Sequence, residues 1–370
     1  MDRMITIRAR TPYVFCEPFA GSAALTYWLL GGKPPISYMG GKSGYAPVIA
    51  DILGLSQHHR PAGIILGEPG PFAAVHATLG GASGSAEDVA GWLTCAASSY
   101  RMAEPDSGPN MGKILNKSRP ETSWLTAGNI AAQISGFQLP RTLAVAAIIR
   151  SWKDEEPRAL WERLKAKGWP SLLLPEGCRG RWLGPASLED VATHLVVHKI
   201  SRNGLGQRYS ERAGGYNVKT GERWEWNWET NEIPVESLPT FPALAVWQGV
   251  AEELALPDDL TGFYILMDPP YKGDLTGKIT GYKHGDCSRE TVLSLARDYS
   301  QRGAVVAICE SVRLDRDLGD GWTAVDISHA RKGQVRSFTR NQGNNRKEPQ
   351  EWVTLNRSPV HVPAKQVGLW

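Results

Sequence analysis

The chain has no run of 18 or more apolar residues, which excludes a membrane-spanning helix of ordinary length. Its first residues, MDRMITIRARTPYVF, carry basic side chains with no long apolar stretch behind them, so a signal peptide is not expected and a cytoplasmic location is. Cysteine is scarce: Cys16, Cys95, Cys178, Cys287 and Cys309 lie far apart, and no Cys-x-x-Cys pair occurs. Such an odd, scattered set argues against a disulfide-stapled domain, fits a reducing compartment and supplies no zinc ligands. Internal repeats are absent, as is the G-x-x-x-x-G-K-[ST] phosphate loop. A strong charge bias is missing too. The 41 Lys and Arg against 38 Asp and Glu leave a net +3, which permits a nucleic-acid partner without requiring one.

What is present is apolar: 42% of 370 residues, enough for two units or for one large α/β domain carrying an insertion. Residues 1–83 read as α/β. Strands are expected at Tyr13 to Cys16 and Gly63 to Gly67, and helices at Leu25 to Leu30 and Ala73 to Leu79. Residues 84–195 change texture, with Gly/Ser/Pro-rich loops between helical stretches at Thr142 to Trp152 and Pro157 to Lys167. They read as an inserted, mostly helical segment. Residues 196–370 open on a polar, aromatic loop and then return to α/β. Buried strands are expected at Phe263 to Met267 and Gly303 to Cys309, a helix at Thr291 to Ser300, and late strands at Trp322 to Ile327 and Glu351 to Leu355. The two α/β portions should share one sheet.

Asp268-Pro269-Pro270-Tyr271 follows directly on the strand ending at Met267. In an open parallel sheet the carboxyl ends of strands face the ligand crevice. Two prolines stiffen the turn and remove two backbone donors, leaving carbonyls free to accept. A carboxylate, a proline carbonyl and an aromatic face together suit a planar exocyclic amine, although Asp-Pro is also common in ordinary turns. The stretch Glu17, Pro18, Phe19, Ala20, Gly21, Ser22 is a small-residue turn between strand and helix, where a cofactor can approach the backbone. Glu68 stands at the next strand end, where nucleoside-binding α/β folds place an acid against ribose hydroxyls. Tyr38-Met39-Gly40-Gly41-Lys42 offers backbone N–H groups beside one cation, which suits an anionic group.

Together with Arg202-Asn203-Gly204-Leu205-Gly206-Gln207-Arg208-Tyr209, the segment Gly215-Tyr216-Asn217-Val218-Lys219-Thr220-Gly221 and Gly281-Tyr282, these pieces resemble the Dam-type family of DNA adenine-N6 methyltransferases. The resemblance covers roughly residues 13–80 and 196–356. It implies a Rossmann-like methyltransferase sheet with helices on both faces, interrupted by a helical target-recognition insertion at 84–195. It implies S-adenosyl-L-methionine as cofactor, DNA as partner, no metal, a monomer or weak dimer, and a bacterial or phage-infected cytosol. Residue by residue, Asp268 and the Pro269 carbonyl would hold the target amine, Pro270 would stiffen the corner and Tyr271 would stack on the flipped base. Glu17 to Ser22 would line the cofactor pocket, Glu68 would meet its ribose, and Tyr38, Gly40, Gly41 and Lys42 would contact its methionine end or the adjacent catalytic pocket. Arg202, Asn203, Arg208, Tyr216, Asn217, Lys219 and Tyr282 would contact DNA. So would Arg336, Arg340 and Arg346, from seventeen residues (331–347) that contain no acid and alone would read as a solvated loop.

The chain departs from that pattern in four places. The Gly-Gly-Lys element follows the Glu-Pro-Phe turn instead of preceding it, so either the strand topology differs or a linker brings the same pieces together. Ala23 replaces a glycine, Lys219 replaces a proline, and Val250 stands where the family has an acid toward the cofactor adenine, leaving that contact to Glu252, to backbone or to nothing. The acidic-aromatic corner serves cytosine N4 as readily as adenine N6, and a DNA-binding relative without catalysis is a further alternative.

Overall fold

The computed structural model describes residues 12–36, 42–84, 91, 138–201, 206–210, 232–270, 287–330 and 350–361. In chain order these residues form β1 (Val14–Glu17), α1 (Ala24–Leu29), α2 (Ala46–Leu53), β2 (Gly63–Gly67), α3 (Phe72–Gly80), α4 (138–151), α5 (Pro157–Lys167), β3 (Gly180–Trp182), α6 (Leu188–Ile200), β4 (Ala243–Gly249), β5 (Phe263–Met267), α7 (Arg289–Gln301), β6 (Val305–Glu310), α8 (Asp315–Leu318), β7 (Thr323–Asp326) and β8 (Trp352–Leu355).

The strands make one mixed sheet in the order β3-β4-β2-β1-β5-β6-β8-β7. β4, β2, β1, β5 and β6 run parallel, while β3 is antiparallel to β4, and β8 is antiparallel to both β6 and β7. The expected single sheet built from both α/β portions is therefore present. The intervening stretch is not wholly outside it, because β3 forms an edge of the sheet and α6 runs across the 195/196 boundary.

Alternation along the strands explains the layering, since successive side chains point to opposite faces. Cys16, Ile65, Ile265, Met267, Val306 and Ile308 meet Val292, Ala296 and Tyr299 of α7 on one face. On the other, Phe15, Leu266, Ala307, Cys309 and Val353 pack under α1 and α2, and Ile64, Leu66, Leu244 and Val246 pack under α3 and α6. The three buried residues of α7 recur at i, i+4 and i+7, one stripe of a 3.6-residue helix. Its first turn is capped by Ser288, whose hydroxyl accepts the Thr291 N–H at 3.1 Å. α6 is buried nearly all round, because it lies between α3 and α5. No helix among the described residues is long and apolar enough to cross a membrane.

Backbone contact at the sheet's carboxyl rim is close. The Ala20 N–H donates to the Gly67 carbonyl at 2.8 Å, and a Cβ on Gly67 would lie 2.9 Å from the Pro18 carbonyl oxygen. Both sides of that clash are main chain, so only movement of the turn could relieve it. Gly67→Ala is expected to cost about 1–3 kcal/mol in urea unfolding, as overpacking does; a change under about 0.5 kcal/mol would show that the turn yields.

Candidate active site

From β1 the chain moves outward to β2 and β4, then returns to the other side of β1 for β5 and β6. The reversal puts the sheet's topological switch point between β1 and β5, where open α/β sheets bind ligands beyond the carboxyl ends of their strands. The two motifs read from sequence lie at that point. Glu17 is the last residue of β1, and Asp268 follows the last residue of β5, with Cys16 paired to Ile265 across the two strands.

Lys42 reaches the same place from the connection between α1 and β2. Its side chain is 6% exposed, and its Nζ lies 2.8 Å from Asp268 Oδ1 and 3.5 Å from Glu351 Oε1. Burial alone would lower the lysine's proton affinity, but the Asp268 and Glu351 carboxylates outweigh it and push the ammonium above its ordinary range. α2, which follows Lys42, packs against α1 and over β5, β6 and β8, so a connection within the first half delivers the lysine to the corner.

Glu17 is buried and accepts from Thr26 twice at Oε2, from the backbone N–H at 3.1 Å and from the hydroxyl. Burial raises its carboxyl to about 8 against the pull of those bonds, with the Asp268 charge adding to the rise. At neutral pH Glu17 is thus mostly protonated. Pro18, Ala20, Gly21 and Ser22 are buried, and Phe19 is half-buried. Gly21 (φ 49°) and Ala23 (φ 51°) both adopt left-handed backbone, and Ala23 is the one non-glycine among the described residues to do so. Ala23 thus sits in a conformation costing L-residues about 1–2 kcal/mol, strain of the kind stored at binding turns.

Glu68 has a backbone role that its strand-end position did not announce. Its Oε2 accepts the Gly21 N–H at 3.0 Å and its Oε1 the Gly70 N–H at 2.9 Å, tying the β1–α1 turn to the β2–α3 turn. Burial raises its carboxyl, against those two bonds. Each oxygen keeps a second acceptor site for a hydroxyl.

Sequence reasoning missed His76. From the middle of α3 its Nε2 lies 2.8 Å from the Gly21 carbonyl oxygen, and its Nδ1 3.4 Å from the Tyr27 hydroxyl. A carbonyl only accepts, so Nε2 carries the proton and Nδ1 accepts from Tyr27. Glu68 and His76 therefore hold Gly21 by its N–H and its carbonyl, one on each of the two peptide groups that flank its Cα. Burial lowers the imidazole to about 4, keeping it neutral. The available signal was an ionisable residue in the otherwise uncharged, mostly apolar run Phe72 to Leu79. His76→Leu, which leaves the Gly21 carbonyl without its donor, is expected to destabilise by about 1–3 kcal/mol. His76→Gln, whose amide can donate to the same oxygen, should recover most of that loss in thermal melts; equal losses would assign the effect to packing alone.

Phe72, first residue of α3 at the rim, packs edge-on against His194 (5.0 Å) and His198 (5.8 Å) near the end of α6. α6 thus ends on the rim side, and Arg208, a few residues on, is exposed. Val250 is 38% exposed just after β4, with Glu252 exposed beside it, so no carboxylate occupies the position of Val250. Tyr38, Gly40, Gly41, Arg202, Asn203, Tyr216, Asn217, Lys219, Tyr271, Tyr282, Arg336, Arg340 and Arg346 lie outside the described residues. Among the described residues no group of three or more His, Cys, Asp or Glu side chains is arranged to hold a metal ion.

Of the residues expected from sequence, the structure gathers Glu17, Lys42 and Asp268 at one switch point, with the Gly21 turn and Glu68 beside them, and Glu351 joins them unannounced. A scan against protein-family models finds no match for the chain, and neither does a search of curated proteins.

Proposed function

We propose that the protein is an S-adenosyl-L-methionine-dependent DNA methyltransferase acting on the exocyclic N6 of adenine. The observation that carries this reading is the Lys42–Asp268 pair at the mouth between β1 and β5, which joins the Asp-Pro-Pro corner to the first half of the chain. A Rossmann-like methyltransferase sheet is the finer description we give to the mixed sheet.

The residues fit the cofactor. Asp268 and Glu351 gather about one ammonium, so among the described residues the mouth carries net negative charge toward a sulfonium, and the turn from Pro18 to Ala23 has small residues at Ala20, Gly21, Ser22 and Ala23. When bound, S-adenosyl-L-methionine supplies an electrophilic methyl group. Asp268 and the Pro269 carbonyl accept the two N–H bonds of the target amine, orienting its nitrogen and drawing density onto it. The amine nitrogen would supply the electron pair for the methyl group, the cofactor would leave as its neutral thioether, and the proton the amine gives up would pass to water by way of Asp268, which is 22% exposed. Lys42, 2.8 Å from Asp268 Oδ1, would fix the carboxylate that accepts from the amine.

A base inside a duplex is not approachable along that line, so the nucleotide leaves the stack at a cost on the order of a few kcal/mol. Exposed Arg208 on the rim side supports a phosphate contact there. Incubation with plasmid and methyl-labelled S-adenosyl-L-methionine, digestion to nucleosides and mass identification test the reading. N6-methyladenine supports it. N4-methylcytosine as the sole product would move the activity to the other amine, and unlabelled DNA would refute both.

A further inference from the structure

We propose that Glu351 is a positioning residue for the methyl transfer, acting through Lys42 to keep the Asp268 carboxylate both in place and electron-rich. The inference rests on the functional reading above. Its grounds are the shared ammonium, with Asp268 Oδ1 at 2.8 Å and Glu351 Oε1 at 3.5 Å from the same nearly buried Nζ, and the way the fold presents Glu351.

β8 is antiparallel to β6, so its beginning, not its end, lies at the rim where the parallel strands finish. Glu351 immediately precedes it. The Glu351 N–H donates to Ser328 Oγ at 2.9 Å, and its carbonyl accepts the Ile327 N–H at 2.9 Å. The backbone that carries this carboxylate is therefore tied to the segment after β7, and the side chain approaches Lys42 from strands that Asp268 does not share.

An ammonium bound to one carboxylate alone would cancel it, leaving a poor acceptor for an amine whose nitrogen becomes positive as the new bond forms. Two carboxylates on one ammonium leave a net negative charge at the corner, and the second fixes where Nζ sits. Glu310, at the end of β6 on the same rim, supplies a comparison. Its Oε1 accepts from the Ser311 N–H at 2.7 Å and the Ser311 hydroxyl at 2.9 Å, so it contributes nearby charge but is bound to a serine.

The test compares Glu351→Gln, Glu351→Asp, Glu310→Gln, Lys42→Met and the Lys42→Met/Glu351→Gln double variant of the full chain, using labelled methyl transfer to plasmid. Glu351→Gln is expected to lower kcat about 10- to 100-fold, the scale of a small misplacement of a reacting group, with the cofactor KM within about twofold. Glu351→Asp should recover part of the loss, Glu310→Gln should stay within about threefold of the unaltered protein, and adding Glu351→Gln to Lys42→Met should cost nothing further. An unchanged kcat in Glu351→Gln, an equal loss in Glu310→Gln, or a full additional loss in the Lys42→Met background would overturn the proposal. A readout without substrate separates it from the parent reading. With nitrogen-15-labelled lysine, the protected Lys42 ammonium signal should be present in the unaltered protein and lost or shifted in Glu351→Gln but not in Glu310→Gln. If that signal responds while DNA is never methylated, the methyltransferase reading falls and the hold of Glu351 on Lys42 stands; if it does not respond, the hold falls.

Discussion

Asp268→Ala is expected to lower methyl transfer at least about 1,000-fold, the upper scale for removing one pre-placed polar group from a reacting centre, while the protein stays folded and still binds S-adenosyl-L-methionine. The fold should survive for a reason the geometry supplies. Removing one partner of a buried ion pair is costly when it strands the other charge, but here the Lys42 ammonium keeps Glu351 at 3.5 Å. The side chain removed is itself 22% exposed, at the mouth and outside the core. Asp268→Asn, which retains the shape but is a weaker acceptor, should fall between the two. Labelled methyl incorporation, calorimetric cofactor binding and thermal melts on the same preparations make the comparison. Turnover in Asp268→Ala within tenfold of the unaltered enzyme would remove the aspartate from the chemistry.

Glu17→Gln is expected to change how stability depends on pH. In the folded chain the Glu17 carboxyl is raised from 4.5 to about 8 by burial, so between those values the folded state keeps a proton that the unfolded chain has lost. The slope of unfolding free energy with pH is then negative. Stability is full below about pH 4.5, falls as pH rises through the window, and levels off above about 8. The whole decline is on the order of 5 kcal/mol. A glutamine can accept the same two bonds from Thr26 and has no proton to lose, so the variant should match the unaltered protein near pH 4.5 and exceed it increasingly toward pH 9. On the acid side the opposite sign applies to His76, lowered to about 4 by burial. Its stabilising neutral form is disfavoured as pH drops from 6.5 toward 4, a limb that Glu17→Gln leaves in place. Urea titrations at intervals from pH 4.5 to 9 check this; parallel curves for the two proteins would mean that Glu17 ionises normally in the fold.

Elements with a strong local pattern were readable from the sequence. Gly63–Gly67 and Phe263–Met267 are short β-rich apolar runs bounded by turn residues, and α5 begins at a proline and ends before Gly168, so the expected and observed limits coincide. α6 was not recognised, because a helix buried on nearly every side lacks the polar face that reveals a period of 3.6. β4 escaped although Ala243 to Trp247 is an unbroken apolar run, because the overlapping stretch Val246 to Glu252 drew attention only for the adenine acid missing at Val250. At the site, the residues with chemistry in their own spacing were legible: Glu17, Lys42 and Asp268. Glu351 and His76 were not, since each owes its place to a partner far off in sequence. The order of β8 against β6 brings one to the rim, and the packing of α3 on the Gly21 turn brings the other.

The adjacency of β1 and β5 also governs when such a mouth can exist. Val14 pairs with Phe263, about 250 positions away, whereas β1 and β2 are joined by some 50. Closing so long a loop is an entropic cost borne before its contacts repay it, and contacts of this range slow folding. A chain emerging from the ribosome can pair β1 with β2 and cover them with α1 and α3 while the far side of β1 remains an open strand edge, able to bond to any neighbour. Only as the last third begins to be made can β5 fill that edge, and the same event brings Asp268 beside Glu17.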